Sequence, residues 1–122
     1  MEKRTLTITL QADWKAALRA AGKAAQKGSY QGETLNFQSP GAFFSRLTER
    51  RWTIINTLQQ GGAIGVRELA RQVGRDVKRV HEDTQALLEL GLIEKNDAGA
   101  LVCPYADIHV DMHIIPQAQV VA

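Results

Sequence analysis

The chain has 122 residues, a formal net charge of +2, 44% hydrophobic residues and 23% charged ones. That length holds one compact domain or a small domain with an arm, and the composition is that of an ordinary globular protein. The single cysteine, Cys103, excludes an internal disulfide and fits a reducing cytoplasm. No apolar run nears the roughly 20 residues of a membrane span, and Met1-Glu2-Lys3-Arg4-Thr5 lacks the apolar core of a secretory signal.

Thr5 to Leu10 alternates threonine with Leu6, Ile8 and Leu10, a period of two that predicts a half-buried strand. Asp13 can cap a helix whose apolar face is Trp14, Ala17, Leu18, Ala21 and Ala25, while Lys15, Arg19, Lys23 and Lys27 form a basic stripe on the other side, a solvated face or a contact for DNA phosphates. Gly28 stops it, and Thr34 to Gln38 predicts a second strand. Residues 1–44 thus read as a strand-helix-strand arm suited to dimerisation.

Ser39-Pro40 is a helix start, serine as cap and proline in the first turn. Thr48 caps a longer helix ending near Gln60, with Leu47, Ile54, Ile55 and Leu58 on one face and Trp52 on its flank. Val66, Leu69, Ala70 and Val73 mark a short amphipathic helix, and Gly74-Arg75-Asp76 breaks it. Gly74 can take the left-handed conformation of a helix end and Asp76 can cap the next helix. That helix buries Val77, Val80, Thr84, Leu87 and Leu88 and closes at Gly91. Two strands follow, Leu92–Lys95 and Ala100–Cys103, around the turn-forming Asn96-Asp97-Ala98-Gly99.

Two helices joined by a short glycine-containing turn are the helix-turn-helix arrangement, and the hairpin behind them supplies a wing. The sequence therefore predicts an α+β fold: a winged helix-turn-helix domain over residues 45–104, preceded by the arm and followed by a C-terminal strand and tail over 105–122. Charge supports a polyanion partner. Arg67, Arg71, Arg75, Lys78 and Arg79 crowd one stretch against Glu68 and Asp76, whereas residues 91–122 set Glu94, Asp97, Asp107 and Asp111 against Lys95.

With the buried face fixed, Lys78, Arg79, Glu82 and Gln85 point outward near the start of the second helix, where recognition helices read bases. Lysine or arginine suits guanine, glutamine adenine and glutamate cytosine. Arg67 and Arg71 on the first helix, Arg75 in the turn and Lys95 at the wing are candidate phosphate contacts. The bland alternative makes Lys78–Glu82 and Arg79–Asp83 simple i, i+4 pairs on a solvated face.

The run from Val66 to Asp83, with Leu87 through Leu90-Gly91-Leu92-Ile93, resembles the winged helix segment of MarR-like prokaryotic transcriptional regulators. More narrowly, it is similar to a family of small regulators with a recurring Gly-Arg-Asp-Val-Lys turn, here Gly74 to Lys78. In these the wing leads to a Pro-Tyr pair and an alternating strand, here Pro104-Tyr105 and Ile108 to Ile114. The resemblance covers about residues 45 to 114. It implies sequence-specific binding of double-stranded DNA, autoregulation as a repressor, and the antitoxin-like half of a two-gene unit with a toxin-like protein partner.

Asp107, His109, Asp111 and His113 alternate with Ile108, Val110, Met112 and Ile114. On a strand the four would share one face, but neighbours two apart lie about 6.6 Å from each other and converge poorly on one ion. No metal is expected there, Cys103 being too far along the pattern to complete a site. No cofactor is expected either, and the absence of a nucleophile elbow or phosphate loop argues against an enzyme. The strands near residues 5–10, 34–38 and 108–114 need partners, predicting one sheet within a subunit or across a homodimer. A protein-interaction module without DNA binding, or a metal-responsive sensor using the Asp/His strand, are the competing readings.

Overall fold

The computed structural model describes residues 4–10, 19 and 32–114. Among these, four helices and five strands make a mixed α+β architecture. Strands β1 (Arg4–Leu10) and β2 (Glu33–Phe37) come first. Helices α1 (Pro40–Arg46), α2 (Glu49–Gly61), α3 (Val66–Val73) and α4 (Val77–Leu90) follow. The chain then runs through β3 (Glu94–Lys95), β4 (Leu101–Val102) and β5 (Tyr105–Asp111). No helix among the described residues is long and apolar enough to cross a membrane. The helix expected from Asp13 lies outside the described residues, apart from Arg19, which is helical and exposed.

The three strands outside the hairpin form one sheet within the chain, in the order β2-β1-β5, with both pairings parallel. Ile8 sits between Leu35 and Val110, and Leu6 pairs with Ile108. Strand alternation sends Leu6, Ile8 and Phe37 into the core and leaves the threonines of β1 on the other face. Register shifts between Arg4 and Thr5, where Ala106 is the extra residue of a bulge. Gly32 enters β2 at a positive φ of 89°, and a Cβ there would lie 2.7 Å from the Thr5 hydroxyl. Glycine is the residue that position admits.

Arg4 ties this sheet to its surroundings. Its guanidinium donates to both oxygens of Glu33 at 3.0 and 2.6 Å, reaches Glu94 at 3.5 Å and lies 5.2 Å from the centre of the Tyr105 ring. The C-terminal strand begins three residues earlier than the expected Ile108, at Tyr105, whose ring is buried and whose hydroxyl donates to the Gly91 carbonyl at 3.3 Å.

The helices assemble as their caps dictate. Ser39 and Thr48 accept from the amides of Ala42 and Arg51, so α1 and α2 start where a hydroxyl can satisfy an otherwise unpaired N–H. Ile54, Ile55, Leu58, Leu69, Val80 and Leu87 pack the three longer helices against Leu92, Ile93 and Leu101, in one core continuous with the inner face of the sheet. Val77, expected on that buried face, is 41% exposed. It opens α4 at the first helical position, beyond the reach of α3. Leu92 and Ile93 are fully buried but precede β3, which starts at Glu94, because they plug the core instead of joining the ladder.

Candidate nucleic-acid interface

The interface is built on a turn. α3 ends at Gly74, in the left-handed conformation at φ 68° and ψ 38°, its amide bonded back to Ala70 and Arg71. Asp76 follows in extended conformation and accepts from the amides of Lys78 and Arg79 at 3.1 and 3.3 Å. A glycine end and an aspartate start within three residues fix the angle between α3 and α4 and present the first turn of α4 at the surface.

The hairpin buttresses the other side. β3 and β4 pair antiparallel through Glu94–Val102 and Lys95–Leu101. Ile64, just ahead of α3, exchanges two backbone hydrogen bonds with Leu101, at 3.1 and 2.7 Å. This locks the hairpin to the start of the helical pair. Asn96 holds the turn, its side chain accepting from the amides of Ala98 and Ala100. Between α4 and the hairpin lies a cleft of about 130 Å³ lined by residues that include His81, Gln85 and Lys95.

The predicted base readers separate into two groups. Lys78, Arg79 and Glu82 are exposed on the first turns of α4. Gln85 is half-buried at the cleft, its Nε2 3.4 Å from the ring Nε2 of His81. The predicted phosphate contacts also divide. Arg67 and Lys95 are exposed, on α3 and on the hairpin. Arg71 is exposed but paired with Glu68 one turn back, which holds that carboxyl below its ordinary range.

Arg75 points inward. Its Nη2 lies 2.9 Å from Asp83, whose other oxygen accepts from Arg51 Nε at 3.0 Å; the three side chains keep only 19%, 16% and 21% exposure. Arg75 Nη1 is buried without a hydrogen-bond partner among the described residues. The guanidinium expected to reach a phosphate is thus committed to a clamp joining the turn, α4 and α2. Arg51 also donates to the Arg46 carbonyl at 2.8 Å, extending the clamp to the end of α1.

The one surface group of α4 that the pattern had set on the buried face is Val77. Position carries the signal for Val77: a residue directly after a helix cap has no preceding turn to cover it. Among the described residues no three His, Cys, Asp or Glu side chains gather as a metal site. Residues 46–110 match the HVO_A0114 family. No curated protein and no solved structure matches the chain.

Proposed function

The chain belongs to the HVO_A0114 family through more than half its length, and for that matched segment we propose a winged helix-turn-helix that binds double-stranded DNA and regulates transcription. α3 and α4 are the helical pair, β3–β4 with Ile64 the wing, and α4 the recognition helix. One observation carries this reading. The cations of the first turn of α4, Lys78 and Arg79, are exposed and form no side-chain bond among the described residues, while Arg71 and Arg75 beside them are paired. A helix of 14 residues, about 21 Å long, can lie in a major groove and offer its first two turns to base edges.

In this reading Arg79, Lys78 and Glu82 read bases, and Val77 offers an apolar surface to a thymine methyl. Arg67 and Lys95 hold phosphates on the two sides of α4. The protein would act as a repressor of the operon that encodes it. Fluorescence titration on its own upstream DNA and on scrambled duplex, across several salt concentrations, tests the division of labour. Arg67→Ala should weaken both duplexes alike and reduce the salt slope by about one charge. Arg79→Ala should cost on the order of 1–3 kcal/mol on the specific site alone. An unchanged specific-to-scrambled ratio in Arg79→Ala ends the base-reading role. Binding unaltered in both variants ends the DNA reading and favours a protein-interaction surface.

A further inference from the structure

β5 is an edge strand. One side pairs with β1, and among the described residues its other side bonds to no strand. The sheet therefore presents a row of backbone donors and acceptors of the kind that pairs with another chain. Ala106, Asp107, His109, Val110 and Asp111 are all exposed along it, and Ile114 just beyond is 72% exposed.

The sequence of this edge, Asp107-Ile108-His109-Val110-Asp111-Met112-His113, reads as its own antiparallel complement. Two copies related by a two-fold axis perpendicular to the sheet pair with one residue opposite itself. Directly opposite residues share a face. With Val110 at the axis, Asp107 faces His113 of the second copy and His109 faces Asp111, so every carboxylate meets an imidazole. On the other face Val110 meets Val110, and Ile108 meets Met112. Moving the axis to His109 or Asp111 opposes like groups, aspartate to aspartate and histidine to histidine. Moving it to Ile108 keeps Asp107 opposite His109 but sets Asp111 against Tyr105 and His113 against Cys103, so only half of the Asp/His contacts remain.

The strand also has the right faces for this. Asp111 and His113 already approach each other on one side, Oδ1 to Nε2 at 3.3 Å, while Ile108 and Met112 pack against the core on the other. Val110, between Ile108 and Met112 on that face, is 38% exposed.

We infer that the β5 edge is a homodimer interface: two chains pair antiparallel along β5 and the two residues that follow it, about a two-fold at Val110, making a six-stranded sheet in the order β2-β1-β5-β5-β1-β2. The occupant of the edge is a second copy because the Asp/His alternation is complementary to its own reverse about Val110. The inference goes beyond the DNA-binding reading and stands without it. Groups from β1 alongside the pairs are Thr5, Thr7 and Thr9, uncharged and short, so the cross-strand Asp–His contacts dominate that face.

The test is done on the full chain without DNA. Sedimentation velocity should show a dimer, weakened at least tenfold in His109→Asp, which opposes aspartate to Asp111. The exchange His109→Asp with Asp111→His should restore it, since complementarity about Val110 is recovered. Val110→Cys in a Cys103→Ala background should oxidise to a linked dimer, because facing Cα atoms about 4.5–5.5 Å apart suit a disulfide. Ala106→Cys should not. A monomer at all concentrations, failure of the exchanged variant to recover, or linkage through Ala106→Cys instead of Val110→Cys overturns the inference. Circular dichroism of each variant separates loss of the dimer from loss of the fold.

Discussion

A single carboxylate, Asp83, serves two guanidinium groups from different parts of the chain, and its removal should be the most damaging single charge change. In Asp83→Ala, Arg51 and Arg75, each about four-fifths buried, would face each other without a counter-charge. Breaking a buried ionic group from one side costs about 3 kcal/mol at the lower end of the observed range, appropriate here because each side chain keeps some exposure. Alanine returns about 0.6 kcal/mol in helix propensity within α4, leaving a net loss of about 2.4 kcal/mol. With a urea m-value of about 1.5 kcal/mol/M for a chain this size, the unfolding midpoint should fall by about 1.6 M. Arg75→Met is the informative comparison. It leaves Asp83 with Arg51 and removes the unbonded Nη1, so it should cost about 1 kcal/mol. Urea titrations followed by circular dichroism measure both. A shift below about 0.5 M for Asp83→Ala, or equal shifts in the two variants, would refute the clamp. Arg75→Met should also leave the salt slope of DNA binding unchanged, whereas a phosphate contact would lower it by about one.

Asp76→Ala should cost about 1 kcal/mol and speed amide exchange at Lys78 and Arg79, whose N–H groups it caps; unchanged exchange would mean that the cap is not holding the start of α4. Cys103 is half-buried with its Sγ 3.6 Å from the carbonyls of Leu92 and Tyr105, and burial pushes its thiol up. Iodoacetamide should label it more slowly in the native state than in urea. Because the folded thiol holds its proton more tightly, stability should fall as pH rises through the ordinary thiol range and on toward the raised folded value. Cys103→Ala should remove that slope.

Local features were legible in the sequence because they are decided within a few residues. The caps at Ser39, Thr48 and Asp76 and the left-handed Gly74 and Gly91 all stand where the residue chemistry put them. The inward turn of Arg75 was not legible. It depends on Asp83 two turns into the next helix and on Arg51 in a third, and no periodicity links those positions. Likewise, alternation announced strands in β1 and β5, and turn residues the strand β2, but not their order. Parallel neighbours are joined by long connections, so register is chosen by the packing of Ile8 between Leu35 and Val110. The early start of β5 came from Tyr105 and Arg4, a contact between residues far apart in the chain. In the candidate interface, the exposed Lys78, Arg79 and Glu82 followed from the helical wheel. Gln85 was displaced toward the cleft by the hairpin, whose placement the wheel does not contain.

The central position of β1 imposes an order in time. Thr7 and His109 are neighbours in the sheet but are roughly a hundred positions apart, about 5 to 20 seconds of synthesis at ordinary rates. During that interval β1 can find β2, while its second edge stays open and the helices between can already pack through near-neighbour contacts. Completion of the sheet is therefore the last event, and a ribosome that pauses before Tyr105 leaves a nascent chain with an unprotected parallel edge. Slow codons placed in that stretch should raise aggregation without altering a single side chain of the finished protein.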